Sequence, residues 1–137
     1  MMRMLQWHCE YFRYKVTKPA MKTLPENREG EEQEFKNVIV ALVCVEKEDT
    51  PDTGRNAITA IKQQLDQVKA DGIVVYPYAH LSSNLSTPSI GMTVLKEMEA
   101  FAKEKGIEVH RAPFGYYKEF EVKVKGHPLA ELSKTLS

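Results

Sequence analysis

An α/β domain with a mixed β-sheet packed by helices is the fold class this sequence predicts, and three observations carry the prediction. Residues 38–45, VIVALVCV, are an unbroken apolar run rich in β-branched side chains, the pattern of a central strand covered on both faces. Beyond a polar stretch, Ile58, Ile61, Leu65 and Val68 recur at helical spacing. A short apolar run follows at residues 73–76, stopped by Pro77. Strand, helix and strand in that order make a crossover unit with parallel strands.

The chain of 137 residues is long enough for one domain with a real core and too short for two ordinary ones, so residues 1–137 are read as one unit. With 42% hydrophobic and 28% charged residues it is not a disordered chain. Its 19 basic and 19 acidic side chains cancel, which excludes the general electrostatic attraction that drives backbone binding of nucleic acid. Contact with RNA then needs a local site or another domain. Cys9 and Cys44 lack metal-ligand spacing and are expected as buried, reduced thiols. No apolar run is long enough for a membrane span and the start has no secretory pattern, so the expected compartment is the cytoplasm.

Leu5, Trp7, Cys9 and Tyr11 alternate with Gln6, His8 and Glu10, a first strand with one wet face. Phe12, Tyr14 and Val16 continue on the opposite phase, which places a bulge near Tyr11 and Phe12. Residues 17–33, with two prolines, a glycine and many charges, are expected as an exposed excursion, and residues 46–54 as a polar loop. The first helix is expected to end with Gly72 as its C′ residue. A second helix begins at Thr87 as N-cap with Pro88 in the first helical position, carries Ile90, Val94, Leu95, Met98, Phe101 and Ala102 on its apolar side, and ends at Gly106. Residues 107–109 form a further strand, and Pro113, Phe114 and Gly115 a turn. Phe120, Val122 and Val124 then alternate with charged residues, and the segment 126–136 is expected as a short helix entered through Pro128.

Extending that last alternation backwards puts Tyr116 and Lys118 on the face of the valines. Lys118 is either in a wet turn before the strand begins or an inward ammonium able to stabilise an oxyanion or orient a polar ligand. His80, in YPYAHLSS, follows the strand at residues 73–76 and falls where open α/β folds place ligand crevices; a structural histidine is the alternative. Ser82 and Ser83 have no nucleophile elbow around them, which rejects a serine hydrolase triad. Glu131 is accounted for as a first-turn carboxylate of the last helix, and His127 as a turn residue. No His, Cys, Asp or Glu grouping has metal spacing and no glycine-rich phosphate loop is present, so neither a metal nor a cofactor is expected.

The segments YPYAHLSS, RAPFGYYKEF and KGHPLAELS, with VEK after the central strand, closely resemble the N-terminal editing domain of archaeal threonyl-tRNA synthetase, over nearly the whole chain. The resemblance implies a fold like that of D-aminoacyl-tRNA deacylases, a homodimer, and hydrolysis of the ester in seryl-tRNA(Thr). Serine lacks only one methyl of threonine, and one methyl gives a synthetase about 1 to 3 kcal/mol of discrimination. Carried over by position, the resemblance implies polar site residues at Lys118, Tyr117, His80 and Glu131, and pocket residues at Val45, Pro77, Ala79, Phe114 and Tyr116. Tyr78 stands where the family often has phenylalanine. A D-aminoacyl-tRNA deacylase of broader range and a catalytically silent tRNA-binding or dimerisation module are the competing expectations; the intact motifs and zero net charge speak against the second.

Overall fold

A computed structural model describes residues 1–23 and 26–137; Leu24 and Pro25, inside the expected excursion, lie outside the described residues. The elements in chain order are β1 (Met2–Pro19), β2 (Glu32–Cys44), α1 (Pro51–Val68), β3 (Gly72–Pro77), α2 (Pro88–Glu104), β4 (Val109–Arg111), β5 (Tyr116–Val124) and β6 (Glu131–Leu136). They form a six-stranded mixed sheet in the order β4-β3-β2-β1-β5, with β6 also paired to β1. Strands β2, β3 and β4 are parallel, as the crossover order requires, and β1 pairs antiparallel with β2, β5 and β6.

The long strand β1 shapes the sheet. Along one edge it pairs with β2 from Arg3 to Lys15; along the other it pairs first with β6, through Met2 to Trp7, and then with β5, from Cys9 to Pro19. The register against β5 shifts between Cys9 and Tyr11, the bulge expected from the change of phase. One face of the sheet packs on α1 and α2 through Ile39, Ile61, Ile73, Leu95 and Met98. The other carries an aromatic cluster including Phe12, Tyr14, Tyr76 and Tyr116.

The expected elements are present with six corrections. The strand expected at residues 107–109 is β4 at Val109–Arg111, because the Ile107 amide still bonds the Ala102 carbonyl at the end of α2 at 3.0 Å. The last segment is β6, not a helix: the free edge of β1 offers a row of unpaired amides and carbonyls, and a short isolated helix is too weak a competitor. Gly72 opens β3; Lys69, at φ 58°, takes the left-handed position that ends α1. Of Gln6, His8 and Glu10, the expected wet face, only Glu10 is exposed, because α1 covers the start of β1 and Gln6 Nε2 donates to Gln64 Oε1 at 2.8 Å. Residues 17–19 prolong β1 and residues 32 and 33 open β2, so the excursion is shorter than expected. Helix α1 begins at Pro51, which makes Gly54 helical; a Cβ there would stand 3.1 Å from the Val94 carbonyl oxygen, so the glycine lets α1 and α2 approach. Thr87 caps α2 as expected, its Oγ1 accepting from the Ile90 amide at 3.3 Å. No helix among the described residues is long and apolar enough to cross a membrane.

Candidate functional site

A cavity of about 550 Å³ opens at the carboxyl ends of the parallel strands β2 and β3. Crevices of open α/β sheets belong here, because the chain leaves both strands in the same direction and turns away. Val45, Pro77, Ala79 and His80 line it from this end; Phe114, Tyr116, Tyr117 and Lys118 line it from the opposite wall.

Backbone bonding fixes both walls. On one side the Tyr78 amide donates to the Val43 carbonyl at 2.8 Å and the Ser86 amide to the Val45 carbonyl at 3.1 Å, which folds residues 78–86 over the end of β2. Within this loop Ala79–Leu81 is a single 3-10 turn that leaves His80 exposed, its ring edge-on to Tyr78 at 5.0 Å between centroids. Ser82 is tied down by donating to the buried Glu46 carboxylate and is not a nucleophile poised at the cavity. On the other side Gly115 sits at φ 87°, a left-handed backbone that favours glycine, and its carbonyl accepts from the Ala20 amide at 2.8 Å. That turn aims β5 so that Tyr116 and Lys118 point inward while Tyr117 is 57% exposed at the rim.

Lys118 lies inside β5, on the inward phase, which resolves its two expected placements in favour of the inward one. Its ammonium donates to the Pro113 carbonyl at 2.8 Å and to the Tyr116 carbonyl at 3.3 Å, and Nζ stands 4.8 Å from the centroid of the Tyr76 ring. Burial lowers its pKa from the ordinary 10.5 to about 8; the nearby Arg28 charge adds to the fall and Glu31 opposes it. A group titrating there is a cation at neutral pH in a partly dry wall.

The charges beside Lys118 come from the shortened excursion. Arg28 donates to Glu31 at 2.7 and 2.8 Å and to the Arg111 carbonyl at 3.1 Å. Buried Arg111 bonds Glu26 at 2.7 Å and Glu99 at 3.1 Å, and the Tyr116 hydroxyl donates to the Glu26 carbonyl at 3.0 Å. This network braces the start of β5 from behind.

Every position named from the sequence lines the cavity except Glu131. Its place in a first helical turn is overturned, since it opens β6 opposite Trp7, exposed and away from the cavity of its own chain. Sequence reasoning passed over Tyr76, Cys44, Met21 and Gly91, which also line the cavity. For Tyr76 a signal was present: it shares the phase of Tyr78 two residues before the loop. Cys44 does not supply a reactive thiolate, because burial, with the Glu46 and Asp49 charges, raises its pKa.

Comparison with known proteins shows the family of the chain. Residues 2–136 match the family model described as the archaea-specific editing domain of threonyl-tRNA synthetase. The chain is 42% identical over 136 residues to a threonine–tRNA ligase of Nitrosopumilus maritimus and 45% identical over 139 residues to one of Thermococcus gammatolerans. These alignments cover 99% and 98% of this chain and 22% of each relative, so the chain spans about a fifth of their length. Among solved structures, a c-Myc DNA unwinding element binding protein superposes with a TM-score of 0.65 over 98% of both chains at 12% identity, a likeness of fold alone.

Proposed function

The chain belongs to the archaea-specific editing domain family of threonyl-tRNA synthetase, and we propose that its cavity hydrolyses the ester of L-seryl-tRNA(Thr) while sparing threonyl-tRNA(Thr). The observation that carries this is the placement of the Lys118 ammonium in the wall of a cavity that His80, Pro77, Ala79 and Val45 close from the other side. Its volume of about 550 Å³ exceeds what a seryl group needs and suits an aminoacylated terminal adenosine.

In the reaction proposed, a water oxygen bonds to the seryl carbonyl carbon and the ester bond to the terminal ribose breaks. The proton passes to the departing ribose oxygen, leaving serine and a tRNA with a free terminal hydroxyl. Lys118 donates to the oxygen on which negative charge develops, where a fixed cation in a partly dry wall acts most strongly. Its two carbonyl partners hold it in place and leave one of its three N–H groups for the substrate. Among the described residues no histidine is hydrogen-bonded to a cavity serine or cysteine, and the Cys44 thiol is kept protonated. The neighbouring ribose hydroxyl therefore assists the water in place of a protein base. Tyr117 and His80, exposed at the rim, receive the terminal nucleotide.

Glu131 reaches such a site only from a second copy of the chain, so the homodimer that the resemblance implies is part of the proposal. Light scattering together with Glu131→Gln decides it: a dimer whose hydrolysis is lost supports the shared site, and a monomer with full hydrolysis contradicts it. The substrate is tested by following seryl-, threonyl- and D-aminoacyl-tRNA(Thr) side by side. Rapid loss of serine alone supports proofreading. Equal loss of the D-aminoacyl ester moves the assignment to a broader deacylase, and no loss of any ester leaves a silent tRNA-binding module.

A further inference from the structure

Lys118 is a partly buried cation, and among the described residues its compensation is unusual. No carboxylate pairs with it; two backbone carbonyls and the face of an aromatic ring take that place. The ring is that of Tyr76, next to the last residue of β3 and 4% exposed. Phe12 and Phe120 meet it edge-on at 5.7 and 5.6 Å between centroids, and Tyr14 and Tyr78 flank it at 6.3 and 6.4 Å. A ring so enclosed has no freedom to turn away from the ammonium.

Resting on the deacylase assignment above, we propose that Tyr76 is a positioning residue for the reaction, its ring face stabilising Lys118 as a cation at the cavity wall beside the ester. The chemistry favours a ring over a carboxylate in this role. The negative face of a π-system attracts a cation, more so when it is desolvated. It carries no net charge, so the field of the ammonium stays unneutralised for the developing oxyanion. A carboxylate at the same distance would hold the lysine equally well and cancel the charge that does the work.

The test pairs Tyr76→Phe, which keeps the ring, with Tyr76→Leu, which removes it, and with Tyr76→trifluorophenylalanine, which keeps the shape and weakens the negative face. The last variant retains the packing should leucine unfold the domain. In each, the Lys118 titration is followed by NMR on lysine labelled at the side chain, and single-turnover hydrolysis of seryl-tRNA(Thr) is measured at pH 6 and pH 8. Arg28 and Glu31, the charged groups that also act on Lys118, and Tyr14 and Tyr116, whose rings share its cluster, are unchanged in all three.

The expected midpoint and rates for Tyr76→Phe stay near those of the native protein. For Tyr76→Leu the midpoint falls by about one pH unit; the rate drops about fivefold at pH 8 and recovers towards native at pH 6, where the ammonium forms in both. Tyr76→trifluorophenylalanine moves the same way by less. A midpoint equal across the series overturns the proposal, and so does a rate lost equally at both pH values, which is the mark of a structural role alone. Failure of the native protein to hydrolyse seryl-tRNA(Thr) overturns the deacylase assignment instead, while the titration still decides whether Tyr76 holds Lys118.

Discussion

Ile39, Ile61, Ile73 and Leu95 pack the helix-covered face of the sheet; Phe12, Tyr14, Tyr76 and Tyr116 pack the other. The first set is aliphatic, fully buried and joined by few polar bonds, the main one being the Gln6–Gln64 contact at 2.8 Å. The second set has hydroxyls and ring faces that bind something: Tyr116 the Glu26 carbonyl, Tyr14 the Glu31 carboxylate, Tyr76 the Lys118 ammonium. Aliphatic packing gives stability without direction, whereas aromatic packing also fixes where a charge sits. The two faces therefore divide the work: the helix side holds the fold and lends the cavity apolar lining through Val45, Leu95 and Phe114, while the aromatic side seats the Lys118 ammonium.

Substitutions on the two faces sharpen this division. The largest expected effect on stability comes from Ile61→Ala, which removes a fully buried side chain between α1 and the sheet. It should cost about 3 kcal/mol in urea unfolding while leaving the hydrolysis rate per folded molecule unchanged. A variant as stable as the native chain, or one folded but inactive, would break the division.

On the aromatic face the expected signature is one of pH. Lys118 titrates at about 8 in the folded chain and at its ordinary 10.5 when unfolded. If the ammonium is the active form, hydrolysis above the uncatalysed background falls about tenfold per pH unit beyond 8. Stability moves the opposite way. Between pH 8 and 10.5 the unfolded chain holds a proton that the folded chain has released, so this group's contribution rises with pH across that window; below pH 8 its desolvation penalty is fully present. Rate profiles and denaturation midpoints over pH 6 to 10.5 check both signs. The smallest expected effect is that of Thr87→Ala at the start of α2: about 1 kcal/mol, measured by thermal unfolding, with the cavity chemistry intact.

How much of this was legible in the sequence follows from how local each signal is. The run at residues 38–45, the Thr87-Pro88 cap and the inward phase of Lys118 depend on neighbours a few residues away, and all three stand in the structure. The segment from Glu131 to Leu136 was misjudged because its partner, the edge of β1, lies at the other end of the chain, and no local pattern announces a free edge. The same holds for Arg28, Glu26 and Arg111, whose ion pairs join residues up to 85 positions apart. Gly72 misled in a different way: a glycine near a helix end reads as its terminator, yet Lys69 takes the left-handed turn, and Gly72 is needed where a Cβ would meet the Glu108 carbonyl oxygen at 2.9 Å. For the cavity, the motifs marked the loops and the inward lysine, while the ring beneath the lysine was read only as part of a core strand.

Stabilisation of the developing oxyanion by the Lys118 ammonium is measured with Lys118→Ala in a single-turnover assay on seryl-tRNA(Thr), with thermal unfolding followed in parallel. Loss of one such donor at a developing oxyanion typically costs about a hundredfold or more. A loss of that size is expected in a domain at least as stable as the native one, since the desolvated charge is gone. Hydrolysis at the native rate in the folded variant would contradict this role of Lys118.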